Sequence, residues 1–278
     1  MTDMQAFSSD VLEIESEGHV ATLWLNRPEA RNAMGAAFFS DLGPAMATLN
    51  ADREVRAVVI AARGPHFSVG LDLKAMGSTL SGGGAPLSNA PRATRTRLDV
   101  LRLQESVNAV ASCPKPVIAA VHGYCIGGGV DLISACDIRL ASADAVFSVR
   151  EAKVAIVADL GSLQRLPRII GAGHVAELAF TGKDITAERA HAIGLVNDVA
   201  PDAAAVVAAA RALALEIAAN SPLAVEGTKA VLQAGDGRTV AEGLEYVATW
   251  NAGMLGSDDL TEAMLAFLEK RPPKFTGN

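Results

Sequence analysis

The longest apolar stretch of the chain, residues 116–136, constrains the fold more than any other feature of the sequence. By length alone it would suffice to span a membrane, but it contains Pro116, His122, three consecutive glycines at 127–129 and Asp131. A membrane-spanning helix tolerates few such residues, whereas a buried strand that turns into a helix accommodates all of them. We therefore expect a buried strand, a glycine turn and a helix here, and no membrane span.

Strand-like and helix-like patterns alternate along the first part of the chain. Apolar runs typical of strands lie at 11–14, 20–25, 57–61, 116–121 and 138–141, and amphipathic helical patterns lie at 36–49 and 98–113. The first two runs are typical of a hairpin, and the alternation predicts an α/β fold with parallel strands. The pattern is almost wholly helical beyond about residue 186, and we divide the chain into an α/β core of residues 1–200 and a helical region of residues 201–278.

The composition excludes some functions and favours a compartment. A formal net charge of −7 argues against a nucleic-acid-binding protein, because such proteins carry a basic surface. Neither the acidic N-terminal residues nor the ending Phe275–Asn278 resembles a targeting signal, so we expect a cytoplasmic protein. The three cysteines, Cys113, Cys125 and Cys136, have no spacing typical of a zinc site or a disulfide framework, and we expect no metal.

Two glycine-containing turns are candidates for binding a negatively charged oxygen. Gly70 permits a close backbone approach within 67–74, and the triplet at 127–129 opens a helix whose first N–H groups are unpaired. If each turn offers one amide to the same oxygen, the amides of Leu71 and Gly128 form an oxyanion hole. The alternative is structural: Asp72 caps the next helix, and the triplet only allows a helix to pack closely on a strand.

Three acidic residues in apolar surroundings are candidates for proton transfer. They are Asp131, Glu151 and Asp159. Burial raises the pKa of a carboxyl group toward values that suit a general acid or base near neutral pH. Each also has a structural alternative: Asp131 is favoured at a helix start, Glu151 can pair with Arg150 or Lys153, and Asp159 can cap the helix that follows it.

Five blocks of the sequence resemble the crotonase (enoyl-CoA hydratase/isomerase) superfamily, in matching order and spacing. They are Leu25–Ala33, Phe67–Lys74, Gly123–Arg139, Phe147–Gly171 and Ala266–Pro272. The resemblance implies a crotonase-like spiral of ββα turns with a C-terminal helical trimerisation region, assembled as a homotrimer or a dimer of trimers. It also implies an acyl-CoA thioester substrate whose oxygen is held by the Leu71 and Gly128 amides, with no cofactor other than the coenzyme A of the substrate.

Within this superfamily the acids resemble those of the Δ3,5-Δ2,4-dienoyl-CoA isomerases more than those of the hydratases. Hydratases carry glutamates at the positions of Asp131 and Glu151, whereas the isomerases carry Asp, Glu and Asp at 131, 151 and 159. The resemblance therefore implies conversion of a 3,5-diene into a 2,4-diene, with Glu151 acting as base at C2 and Asp159 as acid at C6. Asp131 would adjust the local charge or help to hold Glu151. The alternatives are an enoyl-CoA hydratase and a CoA-binding protein without catalytic activity.

The resemblance also implies further contacts with the substrate around the two turns. The residues concerned are Arg31, Val69, Gly70, Asp72, Leu73 and Gly129. Candidates for the phosphates of coenzyme A are the basic residues Arg27, Arg31, Lys74, Lys270, Arg271 and Lys274. For any single one of these residues, a solvated surface charge is the better explanation. The segment 77–95, rich in Gly, Ser, Ala and Pro, predicts a flap over the acyl chain.

Overall fold

The computed structural model describes residues 7–75, 77 and 88–278. The strands are β1 (Leu12–Glu17), β2 (Val20–Leu25), β3 (Ala57–Ala62), β4 (Val117–Val121), β5 (Tyr124–Ile126), β6 (Ile138–Ser142), β7 (Val146–Ser148), β8 (Ile185–Thr186) and β9 (Asp198–Ala200). The helices are α1 (Ala36–Ala51), α2 (Asn89–Ala111), α3 (Gly128–Ser134), α4 (Ser162–Ile169), α5 (Ala172–Thr181), α6 (Ala187–Ala192), α7 (Ala203–Ala218), α8 (Pro222–Ala234), α9 (Val240–Met254) and α10 (Asp258–Glu269). Short 3₁₀ segments lie at Pro28–Ala30 and Glu151–Val154.

The strands form two sheets that meet near the glycine turns. The larger sheet has the order β1-β2-β3-β4-β6-β9, and only β1 runs antiparallel to its neighbour. The smaller sheet has the order β5-β7-β8. Every residue of β2, β3 and β4 is buried, as expected where parallel strands are covered on both faces. The predicted α/β fold and the N-terminal hairpin are confirmed.

Two hydrophobic clusters cover the two faces of the larger sheet. One cluster includes α1, α2 and the strand residues that point toward them. The other is closed by α7, whose Val206, Ala210, Ala214 and Ala218 recur at the four-residue spacing of one helix face. Because these side chains are mostly small, α7 lies close against β3 and β4. The helix that follows residue 200 thus packs on the core, and the division of the chain at that residue stays a prediction.

The remaining C-terminal helices are tied to the core by polar contacts. Lys229 of α8 is buried, and its Nζ donates to the Lys115 carbonyl (3.0 Å) and pairs with Asp137 (2.6 Å). Large apolar side chains on these helices nevertheless stay exposed, including Val240 (81%) and Phe267 (83%). The helical region therefore presents an apolar surface that a single copy of the chain does not cover.

None of the helices within the described ranges is, by itself, long and apolar enough to cross a bilayer. Of the helix pairs in the described part of the chain, α7 and α8 together reach the required length and composition, and they are bent by 107° relative to each other. The alanine face of α7 packs on the larger sheet, as described above.

The structure corrects one boundary in the segment predicted as a flap over residues 77–95. Helix α2 begins at residue 89, so the prediction is wrong for residues 89–95. The helix extends this far because Pro91 lies in the first turn, where its missing N–H costs no hydrogen bond. Residue 76 and residues 78–87 lie outside the described part of the chain.

Candidate active site

The two glycine turns are joined by a short parallel bridge between Ser68 and Cys125. The Ser68 amide donates to the Tyr124 carbonyl (2.9 Å), and the Ile126 amide donates to the Ser68 carbonyl (3.0 Å). The Ser68 hydroxyl accepts the Gly70 amide (3.1 Å), which tightens the turn that follows. This bridge brings the residues after Ser68 alongside the start of helix α3.

A second bridge leaves the Leu71 amide without a partner. The Met34 amide donates to the Gly70 carbonyl (2.8 Å), and the Asp72 amide donates to the Met34 carbonyl (2.9 Å). Because these bonds use the groups on either side of Leu71, its own N–H faces away from Met34. Within the described residues, that N–H donates to no oxygen.

The Gly128 amide also donates to no acceptor in the described part of the chain, for a different reason. Gly128 is the first residue of α3, where N–H groups have no intrahelical acceptor. A Cβ atom placed on Gly128 would lie 3.8 Å from the Leu71 nitrogen, so the two amides are neighbours. The structure thus brings together the two N–H groups assigned to the oxyanion hole, while their contact with a substrate stays a prediction.

Close backbone packing explains why glycine is needed in both turns. Gly70 has φ +84°, and a Cβ there would lie 2.7 Å from the Ile126 carbonyl oxygen and 3.2 Å from the Gly128 nitrogen. A Cβ on Gly128 would lie 3.0 Å from the sulfur of Met34. A side chain at either position would therefore push the two amides apart.

Glu151 places its carboxyl group against the glycine turn. It begins the 3₁₀ segment, and its Oε1 lies 3.1 Å from where a Cβ on Gly127 would be. Its Oε2 is buried and has no hydrogen-bond partner among the described residues. Burial, reinforced by the charges of Asp131 and Asp159, raises the pKa of Glu151 to about 7. The carboxyl group can therefore gain or lose a proton near neutral pH.

The alternative explanation for Glu151, an ion pair with Arg150 or Lys153, is wrong. Arg150 pairs with Asp184 instead, and the aliphatic part of Lys153 packs over Gly182. Neither cation neutralises Glu151, which agrees with its raised pKa.

Asp131 is buried in α3 and caps a different helix. Its Oδ1 accepts the Ser162 amide (2.6 Å) at the start of α4, and only 1% of the residue is exposed. Burial raises its pKa to about 6, although the Ser162 amide acts in the opposite direction. From the sequence, we expected Asp131 to be favoured at the start of its own helix. The bond to Ser162 of a different helix was not predicted.

Asp159 lies in the irregular segment before α4 and does not cap that helix. The N-cap is Gly161, which makes no side-chain capping bond, so the structural alternative for Asp159 is wrong. Burial raises the pKa of Asp159, and its charge raises the pKa values of both Asp131 and Glu151. The three acids therefore share one electrostatic environment next to the free amides.

The other predicted substrate contacts lie on the same turns but have differing environments. Gly129 is buried in α3, whereas Leu73 is 47% exposed. Val69 donates its amide to the Arg31 carbonyl (3.2 Å), which places Arg31 beside the first turn. Asp72 accepts the Ala75 amide (3.0 Å) within a turn, and the helix that it was predicted to cap lies outside the described residues. Their contact with substrate stays a prediction.

Ion pairs within the chain separate the basic candidates for coenzyme A phosphates. Arg27 pairs with Asp72 (2.8 Å), and Arg271 pairs with Glu262 (2.5 Å). Among the described residues, Arg31 and Lys74 make no ion pair and flank the Leu71 turn. Lys270 and Lys274 also make no ion pair among the described residues, so Arg31 and Lys74 are distinguished by their position beside the first turn.

Sequence reasoning missed three residues that shape the site. Met34 fixes the Leu71 turn, Ser162 binds Asp131, and Gln104 donates to the Asp159 carbonyl (2.6 Å). Only Ser162 carried a signal, as a hydroxyl residue at a helix start. In the described ranges, no group of three or more His, Cys, Asp or Glu residues is arranged to hold a metal ion.

This arrangement suits chemistry in which a carbonyl oxygen becomes negative while a nearby carbon loses or gains a proton. It defines a class of enzymes that work through an enolate stabilised by main-chain amides. Residues 15–278 match the family model described as "Enoyl-CoA hydratase/isomerase". The chain therefore belongs to this family, the crotonase superfamily, and the resemblance inferred from the sequence is confirmed.

Relatives and solved structures agree with that assignment. The chain is 41% identical to the peroxisomal Delta(3,5)-Delta(2,4)-dienoyl-CoA isomerase of Arabidopsis thaliana over 96% of each protein. It is 44% identical to the mitochondrial Delta(3,5)-Delta(2,4)-dienoyl-CoA isomerase of Homo sapiens, over 93% of this chain and 79% of the human protein. A putative enoyl-CoA hydratase from Streptomyces coelicolor A3(2) superposes with a TM-score of 0.87 at 34% identity, covering 100% of both chains. The predicted crotonase-like fold is confirmed.

The same relatives contradict the expected cellular location. The Arabidopsis relative is peroxisomal and the human relative is mitochondrial. The prediction of a cytoplasmic protein is therefore wrong. It rested on the absence of a recognisable signal in the terminal residues, and such an absence does not identify a compartment.

Proposed function

We propose that this isomerase of the crotonase superfamily converts a 3,5-dienoyl-CoA into the conjugated 2,4-dienoyl-CoA. The observation that carries the proposal is the grouping of Asp131, Glu151 and Asp159 beside the free amides of Leu71 and Gly128. The Arabidopsis and human relatives, both named as dienoyl-CoA isomerases, support the same reaction.

In the first step, the carboxylate of Glu151 takes a proton from C2 of the bound thioester. The electron pair of the broken C–H bond enters the conjugated system, and the negative charge collects on the thioester oxygen. The amides of Leu71 and Gly128 stabilise that charge, because they are already oriented and need not reorganise. A base with a pKa of about 7 is well matched to this transfer near neutral pH.

In the second step, the protonated carboxyl group of Asp159 gives its proton to C6. The double bonds move to the 2,4 positions and the thioester carbonyl is restored. Glu151 ends the cycle protonated and Asp159 ends it ionised, so exchange with solvent returns both groups to their starting states. Two groups are needed because C2 and C6 are too far apart for one short carboxyl group that does not move.

Asp131 supports both acids without touching the reacting carbons. Its charge helps to raise the pKa of Glu151, after the larger effect of burial. Its bond to the Ser162 amide anchors the segment that carries Asp159 (2.6 Å). We assign Asp131 a positioning and charge-balancing role.

The second candidate function is an enoyl-CoA hydratase, in which Asp131 and Glu151 activate water. Solved structures of similar fold favour it, including an enoyl-CoA hydratase from Bacillus anthracis with a TM-score of 0.87 and 31% identity. Against it, one carboxylate oxygen of Asp131 is already occupied by the Ser162 amide, which leaves it less able to orient water.

An absorbance assay separates these functions. Purified protein given a 3,5-dienoyl-CoA should develop the absorbance of the conjugated 2,4-diene, whereas a hydratase given a 2-enoyl-CoA would remove the enoyl absorbance. Asp159→Asn should abolish isomerisation with folding intact, and Asp236→Asn, which alters a surface ion pair with Arg168, should not. An unchanged spectrum with several chain lengths would exclude the isomerase, and wild-type turnover by Asp159→Asn would exclude Asp159 as the acid.

We also propose that the chain assembles as a homotrimer or a dimer of trimers through its C-terminal helices. The support is the apolar surface they leave exposed, which includes Leu268 (75%) as well as Val240 and Phe267. Light scattering should give a mass three or six times 28.7 kDa. Phe267→Glu should lower that mass, and a wild-type mass of one chain would contradict the proposal.

A further inference from the structure

Gln104 connects helix α2 to the segment that carries Asp159. Its Nε2 donates to the Asp159 carbonyl at 2.6 Å, although the two residues lie 55 positions apart in the chain. The side chain of Gln104 is partly buried, so solvent competes only in part for this bond. Of the described polar side chains, Gln104 is the one that binds the backbone of Asp159 itself.

A neighbouring contact on the same face of α2 strengthens the connection. Asn108 lies one helical turn after Gln104, and its Oδ1 accepts Nη2 of Arg165 (2.5 Å). Nη1 of Arg165 in turn donates to the Leu160 carbonyl (3.3 Å). Helix α2 therefore holds two consecutive carbonyls of the segment, one directly through Gln104 and one through Arg165.

Ala158 and Leu160, on either side of Asp159, are buried in the hydrophobic core, but few hydrogen bonds hold the backbone between them. Residues 155–161 belong to no helix or strand, so no ladder of backbone hydrogen bonds holds them. The next anchor is the Ser162 amide on Asp131, three residues further on. Core packing thus fixes the neighbours of Asp159, and the bond from Gln104 fixes the orientation of the Asp159 carbonyl between them.

We propose that Gln104 is a positioning residue that holds Asp159 at the place from which it delivers its proton to C6. This inference rests on the proposed isomerase function. Through this bond, the location of α2 sets the location of the acid but leaves Glu151 and the amide pair unchanged. Gln104 should therefore matter for the second proton transfer and not for the first.

The test removes the donor but keeps the length of the side chain, in Gln104→Met. The matched control is Gln233→Met, because Gln233 makes the same kind of bond to the Ala111 carbonyl at the far end of α2 (2.7 Å). Two rates are measured in D₂O with a 3,5-dienoyl-CoA: formation of the 2,4-diene, and exchange of deuterium into C2 of the unreacted substrate.

We expect kcat for isomerisation to fall about 10- to 100-fold in Gln104→Met, since small misplacements of a catalytic group have effects of this size. KM and the C2 exchange rate should stay close to the wild-type values, and Gln233→Met should match the wild type in both rates. A merely structural role would lower exchange and isomerisation together.

Three results would overturn the inference. They are wild-type isomerisation by Gln104→Met, an equal loss of exchange and isomerisation, and a similar loss of isomerisation in Gln233→Met. If the wild-type protein does not isomerise the diene at all, the proposed function itself fails and this inference fails with it.

Discussion

The glycine turns at 67–71 and 123–129 and the acid-bearing segment at 149–162 meet where Glu151 lies against Gly127. The turns are held by backbone bridges and are largely buried. The acid segment is irregular over much of its length and is held by side chains from α2, α3 and α4. The turns therefore act through backbone amides, which glycine leaves room for, whereas the acid segment acts through its carboxyl side chains.

The largest effect is expected from the acid segment, in Glu151→Gln. The amide keeps the shape of the side chain but cannot accept the C2 proton, so kcat should fall about 10²–10⁴-fold. Steady-state kinetics with a 3,5-dienoyl-CoA measures the loss, and Glu54→Gln on the exposed surface serves as the control. A fall of less than tenfold would show that the base lies elsewhere.

The turns should respond to an added methyl group, in Gly70→Ala. The new Cβ would collide with the Ile126 carbonyl and press on the Gly128 nitrogen, which displaces an amide of the oxyanion hole. Losing one such donor costs about 10²–10³-fold in kcat.

Gly18→Ala separates this crowding from backbone strain. Gly18 also has a positive φ (+57°), but a Cβ there would meet nothing within 4 Å. The Gly18→Ala variant should therefore retain wild-type activity. Its stability alone should fall, as measured by thermal unfolding. Equal activities of the two variants would contradict the assignment of the turns.

Asp131→Asn should change stability in a pH-dependent way. Burial raises the pKa of Asp131 to about 6, above its ordinary value, so the folded protein disfavours its ionised form. That cost is absent below the unfolded pKa near 4 and is fully present above about 6. The variant should gain on the order of 2 kcal/mol in free energy of unfolding at pH 8 and nothing at pH 4.

The same substitution should also shift the pH profile of the reaction. The acid limb of kcat/KM for the wild-type enzyme should lie near pH 7, because Glu151 must be ionised to act. Removing the charge of Asp131 lowers the pKa of Glu151, so the limb should move to lower pH. A limb that does not move would exclude coupling between these two acids.

The smallest effect is expected at the unpaired cations beside the first turn. Arg31→Ala and Lys74→Ala should each raise KM about two- to fivefold at low salt with kcat unchanged, since exposed charges attract an anionic ligand weakly and are screened by ions. Arg102→Ala, which alters an exposed pair with Asp99, is the control. A KM independent of salt would remove both residues from the coenzyme A path.

The sequence predicted the turns better than the acid segment for a physical reason. Strand β4 and the glycine triplet are local patterns, so their positions followed from apolar runs and from the conformational freedom of glycine. The contacts of Asp131 with Ser162 and of Gln104 with Asp159 join residues 31 and 55 positions apart, and no local pattern encodes them. Met34 was missed for a related reason. Its backbone, rather than its side chain, sets the direction of the Leu71 amide, so the residue type gives no signal.

In the proposed mechanism, one carboxyl group removes the C2 proton and another supplies the C6 proton. Single-turnover conversion of a 3,5-dienoyl-CoA in D₂O, with NMR analysis of the product, tests it most directly. Because the proton of Asp159 exchanges with solvent, we expect one deuterium at C6 of the 2,4-dienoyl product. Transfer of the original C2 hydrogen to C6 would show that a single group serves both carbons and would contradict the account.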